Sequence, residues 1–354
     1  MAYALSFAHP SEVLLFVLSS IGIVPLAALI GKATEELAYH VGSAAGGLLN
    51  ATFGNVPELI IGILAIRDGL LTLAQASIIG SVIGNASLVV GMALFFGGVR
   101  NGIQRFKREE VSHHAVLMVL AVASLALPSL FASTARRGNV EALSVFVACL
   151  LMLTYVAYIL YDIGGLRGGS RPVESDAFMT ESEEVVEQLI EDEGGPEWSW
   201  QRSTLWLALA TVMVALVGDV LVASVRPVTH TLGISEFFVG VVLVPIVGNV
   251  AEHFAAVQLA GKNKMDLSFA VASGSSIQVA VFVAPLLVLI SLIWHPMSLV
   301  FNPIEIAVLA LVVAIFFFVA QDGESNWLEG LQLMIIYAMS AAVFYFLPGP
   351  SAVG

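Results

Sequence analysis

The chain carries little charge and almost no cysteine. Only 12% of its 354 residues are charged and 58% are hydrophobic, whereas an average soluble domain is about 25% charged. This composition excludes an ordinary soluble domain. The single cysteine, Cys149, cannot form an internal disulfide, and its place within an apolar run indicates a small packing residue. With 27 acidic and 14 basic residues, the chain offers no basic surface for a nucleic acid.

Long apolar runs fill most of the sequence. Each is close to the roughly 20 residues that a helix needs to cross the hydrocarbon layer of a membrane. The first eleven residues lack the basic stretch of a cleaved signal peptide. We therefore predict an all-α polytopic membrane protein with about ten transmembrane helices, at 11–31, 41–66, 71–97, 112–132, 140–162, 203–225, 236–260, 267–293, 303–321 and 328–347.

The basic residues indicate how these spans are oriented. When loops alternate between the two sides, ten of the 14 Lys and Arg residues fall on one side and four on the other. The positive-inside rule places the richer side in the cytoplasm. Both ends of the chain are then outside, and the expected location is the cell (inner) membrane of a prokaryote.

Two copies of one motif place a carboxylate inside an apolar span. The first is GNVPE at 54–58 and the second is GNVAE at 248–252. A charge at the centre of a membrane costs about 2.5–3.5 kcal/mol even on a lenient scale, so Glu58 and Glu252 are expected to be functional. Pro57 is expected to interrupt a helix and free backbone carbonyls for an ion, with a simple kink as the alternative.

The two halves of the chain are related by an offset of 194 residues, which maps Glu58 onto Glu252. The same offset relates Gly54 to Gly248, Asn55 to Asn249, Val56 to Val250, Gly80 to Gly274, Ser81 to Ser275 and Ile83 to Ile277. Two motifs in one register indicate an internal duplication. Because each half has five spans, an odd number, the second five-helix repeat is inverted in the membrane, and such repeats share a site near the midplane. The expected divisions are a first repeat at 1–162, an acidic linker at 163–202 and a second, inverted repeat at 203–354.

The linker is strongly acidic. Ten acidic residues and no basic residue occur from Glu174 to Glu197. Apolar residues at 185, 186, 189 and 190 recur at helical spacing and predict a short amphipathic helix. The stretch is either a solvated cytoplasmic connection or a weak regulatory cation site. It is not an EF-hand, because the alternating Asp/Asn ligands and the central glycine are missing.

The polar residues of the motif spans are expected to form one cation site. All of them offer oxygen ligands, namely Glu58, Glu252, Asn55, Asn249, Ser81, Ser275, Asn85 and Gln278. Oxygen ligands with two carboxylates suit a hard divalent cation such as Ca²⁺ and disfavour thiophilic metals. For the small residues of the third span, close helix packing is the alternative interpretation.

The same site is expected to bind protons when no cation occupies it. Two carboxylates roughly 6 Å apart repel by about 2.8 kcal/mol at an effective dielectric constant near 20, and burial disfavours both charges further. Cation binding must then displace protons, which is the physical basis of antiport. Glu58 and Glu252 are the expected proton-coupling groups. His253 is either a packed, hydrogen-bonded residue or a proton relay beside Glu252, and Asp219 has a similar ambiguity.

Other titratable residues lie near the predicted ends of the spans. We expect them to be interfacial: Lys32, Glu35, Glu36, His113, His114, Glu141 and Asp162. The fourth and fifth spans have no internal charge and are expected to serve as scaffold.

Three stretches resemble the calcium/cation–proton exchanger family within the cation/calcium exchanger superfamily. They are GGLLNATFGNVPELIIG at 46–62, GSVIGNASLVVG at 80–91, and PIVGNVAEHFAAV with SGSSIQVA at 245–257 and 273–280. The resemblance covers the whole chain. It implies exchange of Ca²⁺, or a related divalent cation, for protons at a site of the two motif glutamates with flanking asparagine, serine and glutamine. It also implies an acidic helix between the repeats.

Two residues favour protons over sodium as the coupling ion. Sodium/calcium exchangers of the superfamily usually have an acid where this chain has Gln278, and they lack a histidine at His253. The resemblance has departures, since Pro57 replaces a small residue and Gln278 is one residue out of register with Asn85. We expect a Ca²⁺/H⁺ antiporter, a secondary transporter and not an enzyme, with Ca²⁺ as substrate and no cofactor.

Other functions fit the sequence less well. A Na⁺/Ca²⁺ exchanger and a monovalent cation/H⁺ antiporter are the alternatives of the same class. An intramembrane hydrolase would need a nucleophile or a metal-activated water, which His253 and Glu252 alone do not supply. A passive channel is disfavoured by protonatable carboxylates and broken helices. The oligomeric state stays open, a homo-oligomer included.

Overall fold

The computed structural model describes residues 11–41, 46, 49, 52–132, 137–163 and 196–347, and these are almost entirely helical. The helices are α1 (Glu12–Val41), α2 (Val56–Arg67), α3 (Leu71–Asn101), α4 (Arg108–Ala132), α5 (Arg137–Ile163), α6 (Trp200–Leu232), α7 (Glu236–Gly248), α8 (Val250–Gly261), α9 (Met265–Ser291), α10 (Pro303–Ala320) and α11 (Trp327–Phe346). Two short strands, β1 (Gln104–Arg105) and β2 (Glu324–Ser325), pair antiparallel.

The helices confirm an all-α polytopic protein. Within the described residues, eight helices are long and apolar enough to cross a membrane, or nine when the bent pair α7 and α8 is one span. These nine correspond to nine of the predicted spans. The remaining prediction, 41–66, falls partly outside the described residues, which contain its second half as α2. The count of ten is therefore approximate.

The short helices α2 and α8 begin in the same way. Each begins directly after an asparagine, with φ −95° and ψ 12° at Asn55 and φ −91° and ψ 11° at Asn249. The offset of 194 maps α2 onto α8 residue for residue. The axes of α7 and α8 differ by 57° across Asn249, so the chain turns sharply in the middle of this span.

Pro57 does not interrupt a helix interior, so that expectation is wrong. It lies in the first turn of α2, where its missing N–H would have no partner within the helix in any case. The interruption is at Asn55, one turn before Glu58. The second repeat has the same interruption at Asn249 with Ala251 in place of the proline.

Three π-helical segments lie within the motif-bearing spans. They are Gly84–Val89 in α3, Val239–Leu243 in α7 and Val279–Val283 in α9. Segments of this kind are rare and concentrate at functional sites, because the extra residue per turn redirects side chains and backbone carbonyls. Apolar periodicity gave no sign of them.

The centre of the bundle is formed by α3 and α9. In their most apolar windows 83% and 72% of the residues are buried, against 17–44% in the other single helices of the described chain. The outer helices therefore present most of their apolar surface outward, toward lipid. Cys149 on α5 is exposed, so the expectation that it is a packing residue is wrong.

The expected interfacial residues divide into two groups. Glu36 and His114 are buried against other parts of the protein, so their side chains do not face a lipid surface, and their depth in the membrane stays a prediction. Glu36 accepts a 2.9 Å hydrogen bond from Trp198 N. Lys32 and Glu141 are exposed, and Lys32 forms a 3.0 Å ion pair with Glu197.

Three of the sequence predictions lie outside what the structure describes. The acidic linker falls largely at 164–195, so its amphipathic helix stays a prediction. The side chains of His113 and Asp162 are also outside the described part of the chain.

Candidate cation site

The two motif glutamates sit at the starts of the two short helices. Glu58 lies in the first turn of α2 and Glu252 in the first turn of α8. The N-terminal end of a helix carries a partial positive charge, which favours a carboxylate in its first turn. The two carboxylates are close enough to interact electrostatically. The fold therefore brings together residues that are 194 positions apart in the sequence.

Two contacts join the repeats in matching fashion. Asn249 Nδ2 donates to Ser81 Oγ at 3.1 Å, and Ser275 Oγ donates to Asn55 Oδ1 at 3.5 Å. The offset of 194 relates these two asparagine–serine pairs to each other with the repeats exchanged. Each short helix thus meets the central helix of the other repeat, as expected for inverted repeats around one shared site.

The remaining amides connect this pair of contacts to the glutamates. Asn85 Nδ2 lies 2.9 Å from Ser275 Oγ and 3.4 Å from Glu252 Oε2. Asn55 Nδ2 donates to Gln278 Oε1 at 2.7 Å. Asn85 and Gln278, which are one residue out of register, therefore have different partners.

Glu58 reaches the same region through Gly248. A β-carbon added to Gly248 would lie 2.6 Å from Glu58 Oε1, so the glycine backbone of α7 packs directly against this carboxylate. All eight polar residues predicted for the site are thus placed around the interruptions at Asn55 and Asn249. The sequence motif contained this glycine in both repeats but gave no sign of what approaches it.

The two glutamates have different surroundings. Glu58 is buried, and neither of its carboxylate oxygens accepts a hydrogen bond from another residue of the described chain. Glu252 is partly exposed and accepts from Asn85. Two further buried oxygens, Asn85 Oδ1 and Asn249 Oδ1, also lack a hydrogen-bond donor among the described residues. Buried oxygens without a hydrogen-bond donor are uncommon in proteins, and a bound ion is one explanation for them.

The donor set fits a hard cation better than a transition metal. The described residues contain no group of three His, Cys, Asp or Glu that could hold a metal. The ionisable ligands of the site are the two glutamates, which balance one divalent charge, and the other ligands are neutral amide and hydroxyl oxygens. This is the ligand chemistry that Ca²⁺ prefers.

His253 and Asp219 are not joined to this network. Within the described residues the His253 ring makes no hydrogen bond, and the ring is partly exposed. Its role as a proton relay stays a prediction. Asp219 Oδ1 accepts from Arg67 Nη2 at 2.6 Å, at the far end of α2 from the site, so Asp219 belongs to an ion pair between α2 and α6.

Comparisons with known proteins identify the family of the chain. The sequence model of the family described as sodium/calcium exchanger protein matches residues 11–164 and 202–346. A Ca²⁺/H⁺ antiporter of Aphanothece halophytica is 40% identical over 354 residues, which are 98% of this chain and 94% of the relative. The Ca²⁺/H⁺ antiporter ChaA of Bacillus subtilis (strain 168) is 37% identical over 97% of this chain and 95% of its own.

A solved structure has the same fold. The structure of native YfkE superimposes with a TM-score of 0.82 and 33% sequence identity, covering 98% of this chain and 96% of that one. The two segments matched by the family model overlap most of each predicted repeat and leave out residues 165–201, and the division of the chain into two repeats and a linker stays a prediction. The resemblance to calcium/cation–proton exchangers is confirmed, and the chain belongs to the sodium/calcium exchanger protein family.

Proposed function

We propose that this protein is a secondary antiporter that exchanges Ca²⁺ for H⁺ across a membrane by alternating access. The observation that carries the proposal is Glu58, a buried carboxylate whose two oxygens accept no hydrogen bond from any other described residue. An ionised carboxylate in such a place is costly unless a counter-ion neutralises it. Either a proton or a metal cation can neutralise the Glu58 carboxylate, and binding of one excludes binding of the other.

Calcium is the cation that the ligands support best. The oxygens of Glu58, Asn85 and Asn249 that lack donors among the described residues lie in one region with the Glu252 carboxylate. Ca²⁺ takes six to eight oxygen ligands in a flexible geometry, and mixed carboxylate and amide oxygens supply them. The relatives from Aphanothece halophytica and Bacillus subtilis are Ca²⁺/H⁺ antiporters, which supports the same assignment.

The neutral side chain of Gln278 favours protons over sodium as the coupling ion. Its amide is held by Asn55 at 2.7 Å and adds no charge to the site. The two glutamates are then the only ionisable ligands, and binding one Ca²⁺ neutralises both. A Na⁺/Ca²⁺ exchanger is the second candidate, because family members with an acid at this position couple to sodium. A monovalent cation/H⁺ antiporter fits less well, because a single monovalent cation would neutralise only one of the two carboxylates.

The inverted repeats support alternating access. The short helix α2 ends at Arg67 and the short helix α8 at Gly261, followed by Lys262. In inverted repeats, equivalent helices point to opposite sides of the membrane, so these two ends are expected to lie on opposite sides. We assign the end at Lys262 to the cytoplasm from the distribution of basic residues. Residue Glu252 is partly exposed while Glu58 is buried, so the surroundings of the two glutamates differ in this conformation.

The location of the protein belongs to the same proposal. We place it in the cell membrane of a prokaryote, with both ends of the chain outside and the acidic linker in the cytoplasm. The unpaired oxygens at the site serve to bind a transported ion, and we assign no catalytic centre to this chain.

Proteoliposomes test the proposal directly. Radiolabelled Ca²⁺ uptake is measured under an imposed pH gradient and, in parallel, under an imposed sodium gradient. We expect uptake driven by the pH gradient alone, and uptake at the background level in Glu58→Gln and Glu252→Gln. Glu141→Gln is the matched control, since this carboxylate is exposed on α5 and should leave uptake unchanged.

Two results would contradict the proposal. Uptake driven only by the sodium gradient would place the protein with the Na⁺/Ca²⁺ exchangers. Normal pH-driven uptake in Glu58→Gln would show that the buried carboxylate is not the shared site of cation and proton.

A further inference from the structure

His114 forms a buried polar contact with the central helix of the other repeat. It lies on α4 and is only 6% exposed. Its Nδ1 is 2.9 Å from the hydroxyl of Ser273 on α9, which is fully buried. Val111 and Ala115 of α4 are buried around it, so the contact lies within an apolar interface between the two helices.

The direction of this hydrogen bond follows from the second partner of Ser273. The Ser273 hydroxyl donates to the Phe269 carbonyl of its own helix at 2.6 Å. A hydroxyl has one proton, so its oxygen is left to accept from the imidazole. His114 therefore carries a proton on Nδ1 and donates to Ser273. At this point α4 and α9 are held together by a directional hydrogen bond and not by apolar packing alone.

Ser273 lies immediately behind the cation site. It precedes Ser275 by two residues and Gln278 by five. At 3.6 residues per turn, two residues correspond to about 200° around the helix, so Ser273 and Ser275 face opposite directions. The bond to His114 thus holds the back of α9, while the front of the same turn carries Ser275 toward Asn85.

The other repeat has no counterpart to this bond. The offset of 194 that relates the repeats maps His114 onto Val308 and Ser273 back onto Ile79. Ile79 is completely buried and Val308 packs against the same apolar core. Two apolar side chains can slide or rotate past each other, whereas a hydrogen bond selects one rotation of the helix. The hydrogen-bonded pair therefore joins α4 to α9, whereas apolar residues stand at the equivalent positions when the repeats are exchanged.

We propose that His114 is a positioning residue for the cation site, acting through Ser273 to fix the rotation of α9 and hence the placement of Ser275 and Gln278. The inference rests on the proposed function, because it concerns how tightly the site binds Ca²⁺. It adds a role for α4, which the sequence indicated to be scaffold alone.

The test compares His114→Leu, Ser273→Ala and the double variant in proteoliposomes and in calorimetric Ca²⁺ binding. Either single change removes the same bond, so we expect the Ca²⁺ concentration for half-maximal uptake to rise about fivefold in each, the scale of one interhelical hydrogen bond in a membrane. The double variant should show no larger effect than the singles. The maximal rate should stay within about twofold, because Glu58 and Glu252 remain in place.

Two further variants separate positioning from general stability. His114→Asn keeps an N–H donor near the position of Nδ1 and should restore most of the affinity. Ser340→Ala removes a buried hydroxyl that bonds to Ile336 O within α11, far from the site in sequence, and should leave Ca²⁺ affinity unchanged.

The outcomes are distinct. Unchanged Ca²⁺ affinity in His114→Leu and Ser273→Ala, with an active wild-type protein, would overturn the positioning role and leave the antiport proposal intact. Additive losses in the double variant, or no recovery in His114→Asn, would also overturn it. A wild-type protein without coupled Ca²⁺ flux would instead overturn the proposed function and this inference with it.

Discussion

Gly248 packs so closely on Glu58 that a β-carbon at this position would lie 2.6 Å from the Glu58 Oε1 atom. The contact joins the end of α7 in one repeat to the start of α2 in the other. It explains why the second copy of the motif begins with glycine, since a side chain at 248 would occupy space used by the carboxylate. The backbone of the opposite repeat therefore limits where the Glu58 carboxylate can lie.

Gly248→Ala should displace the Glu58 carboxylate and weaken Ca²⁺ binding. Overpacking of this kind costs about 1–3 kcal/mol, so we expect the half-maximal Ca²⁺ concentration to rise by about tenfold or more. Gly84→Ala is the matched control, because no atom lies within 4 Å of the added β-carbon. Equal Ca²⁺ affinities of the two variants in calorimetry would contradict the contact.

Ca²⁺ binding should release protons. Because the two glutamates bind either protons or a cation, Ca²⁺ must displace the protons present, and acid on the same side must raise the Ca²⁺ concentration needed for half-maximal binding. Calorimetry in buffers of different ionisation enthalpy measures the release, which cannot exceed about two protons from two carboxylates. Release should be larger at acidic than at alkaline pH. Ca²⁺ affinity that does not change with pH would rule out shared occupancy.

Gln278→Glu should tighten Ca²⁺ binding and slow turnover. The carboxylate can accept the same hydrogen bond from Asn55 that the amide accepts now, at 2.7 Å, so the change adds charge with little change of shape. A third carboxylate attracts the cation more strongly, and at about 4 Å with an effective dielectric constant near 20 each charge pair is worth about 4 kcal/mol before desolvation. We expect at least about tenfold tighter binding and a lower maximal rate at alkaline pH, where protons compete least. Gln278→Leu, which removes the acceptor, should weaken binding instead.

Asp219→Asn should leave Ca²⁺ affinity unchanged. Asp219 pairs with Arg67 at 2.6 Å, but both side chains are substantially exposed, at 45% and 40%. Ion pairs with such exposure contribute about 0–1 kcal/mol to stability. Uptake and thermal unfolding should therefore both stay close to wild type. A loss of Ca²⁺ affinity comparable to that of Glu252→Gln would place Asp219 in the transport pathway.

The polar residues that the fold brings together around Asn55 and Asn249 could be selected from the sequence because so few polar groups occur at membrane depth. Glu58 and Glu252 are conspicuous within apolar runs, and the offset of 194 pairs each with its counterpart. The partners were not predictable, since contacts between repeats depend on how the helices rotate. Asn85 meets Ser275 and Gln278 meets Asn55, and no periodicity specifies these pairs.

The errors have physical causes. Pro57 is a strong helix breaker in a helix interior but harmless in a first turn, and an apolar sequence does not show where the first turn begins. Cys149 was assigned to packing because it lies within an apolar run, yet it is exposed. An apolar run does not show which face of a membrane helix contacts other helices and which faces outward.

The last residues of the acidic linker are attached to the C-terminal end of α1, and Trp198 makes most of that attachment. Lys32 lies 5.5 Å and Arg202 4.8 Å from the centre of the Trp198 ring. The Trp198 backbone donates to the buried Glu36 carboxylate at 2.9 Å and its carbonyl contacts the His40 ring at 2.8 Å. The end of the linker therefore meets the first span through Trp198 and through the ion pair of Glu197 with Lys32.

Trp198→Ala should loosen this attachment without changing the cation site. Each cation–π contact at an exposed position is worth about 0.5–1 kcal/mol, so losing both should lower the melting temperature by about 2–4 °C. Trp200→Ala, at a tryptophan that is 56% exposed, is the matched control and should melt like the wild type. Ca²⁺ affinity should be unchanged in both variants, because the polar partners of Trp198 are Glu36 and His40 on α1 and none of the eight residues predicted for the cation site. Equal melting temperatures of the two variants would show that the backbone bonds to Glu36 and His40 suffice to hold the segment.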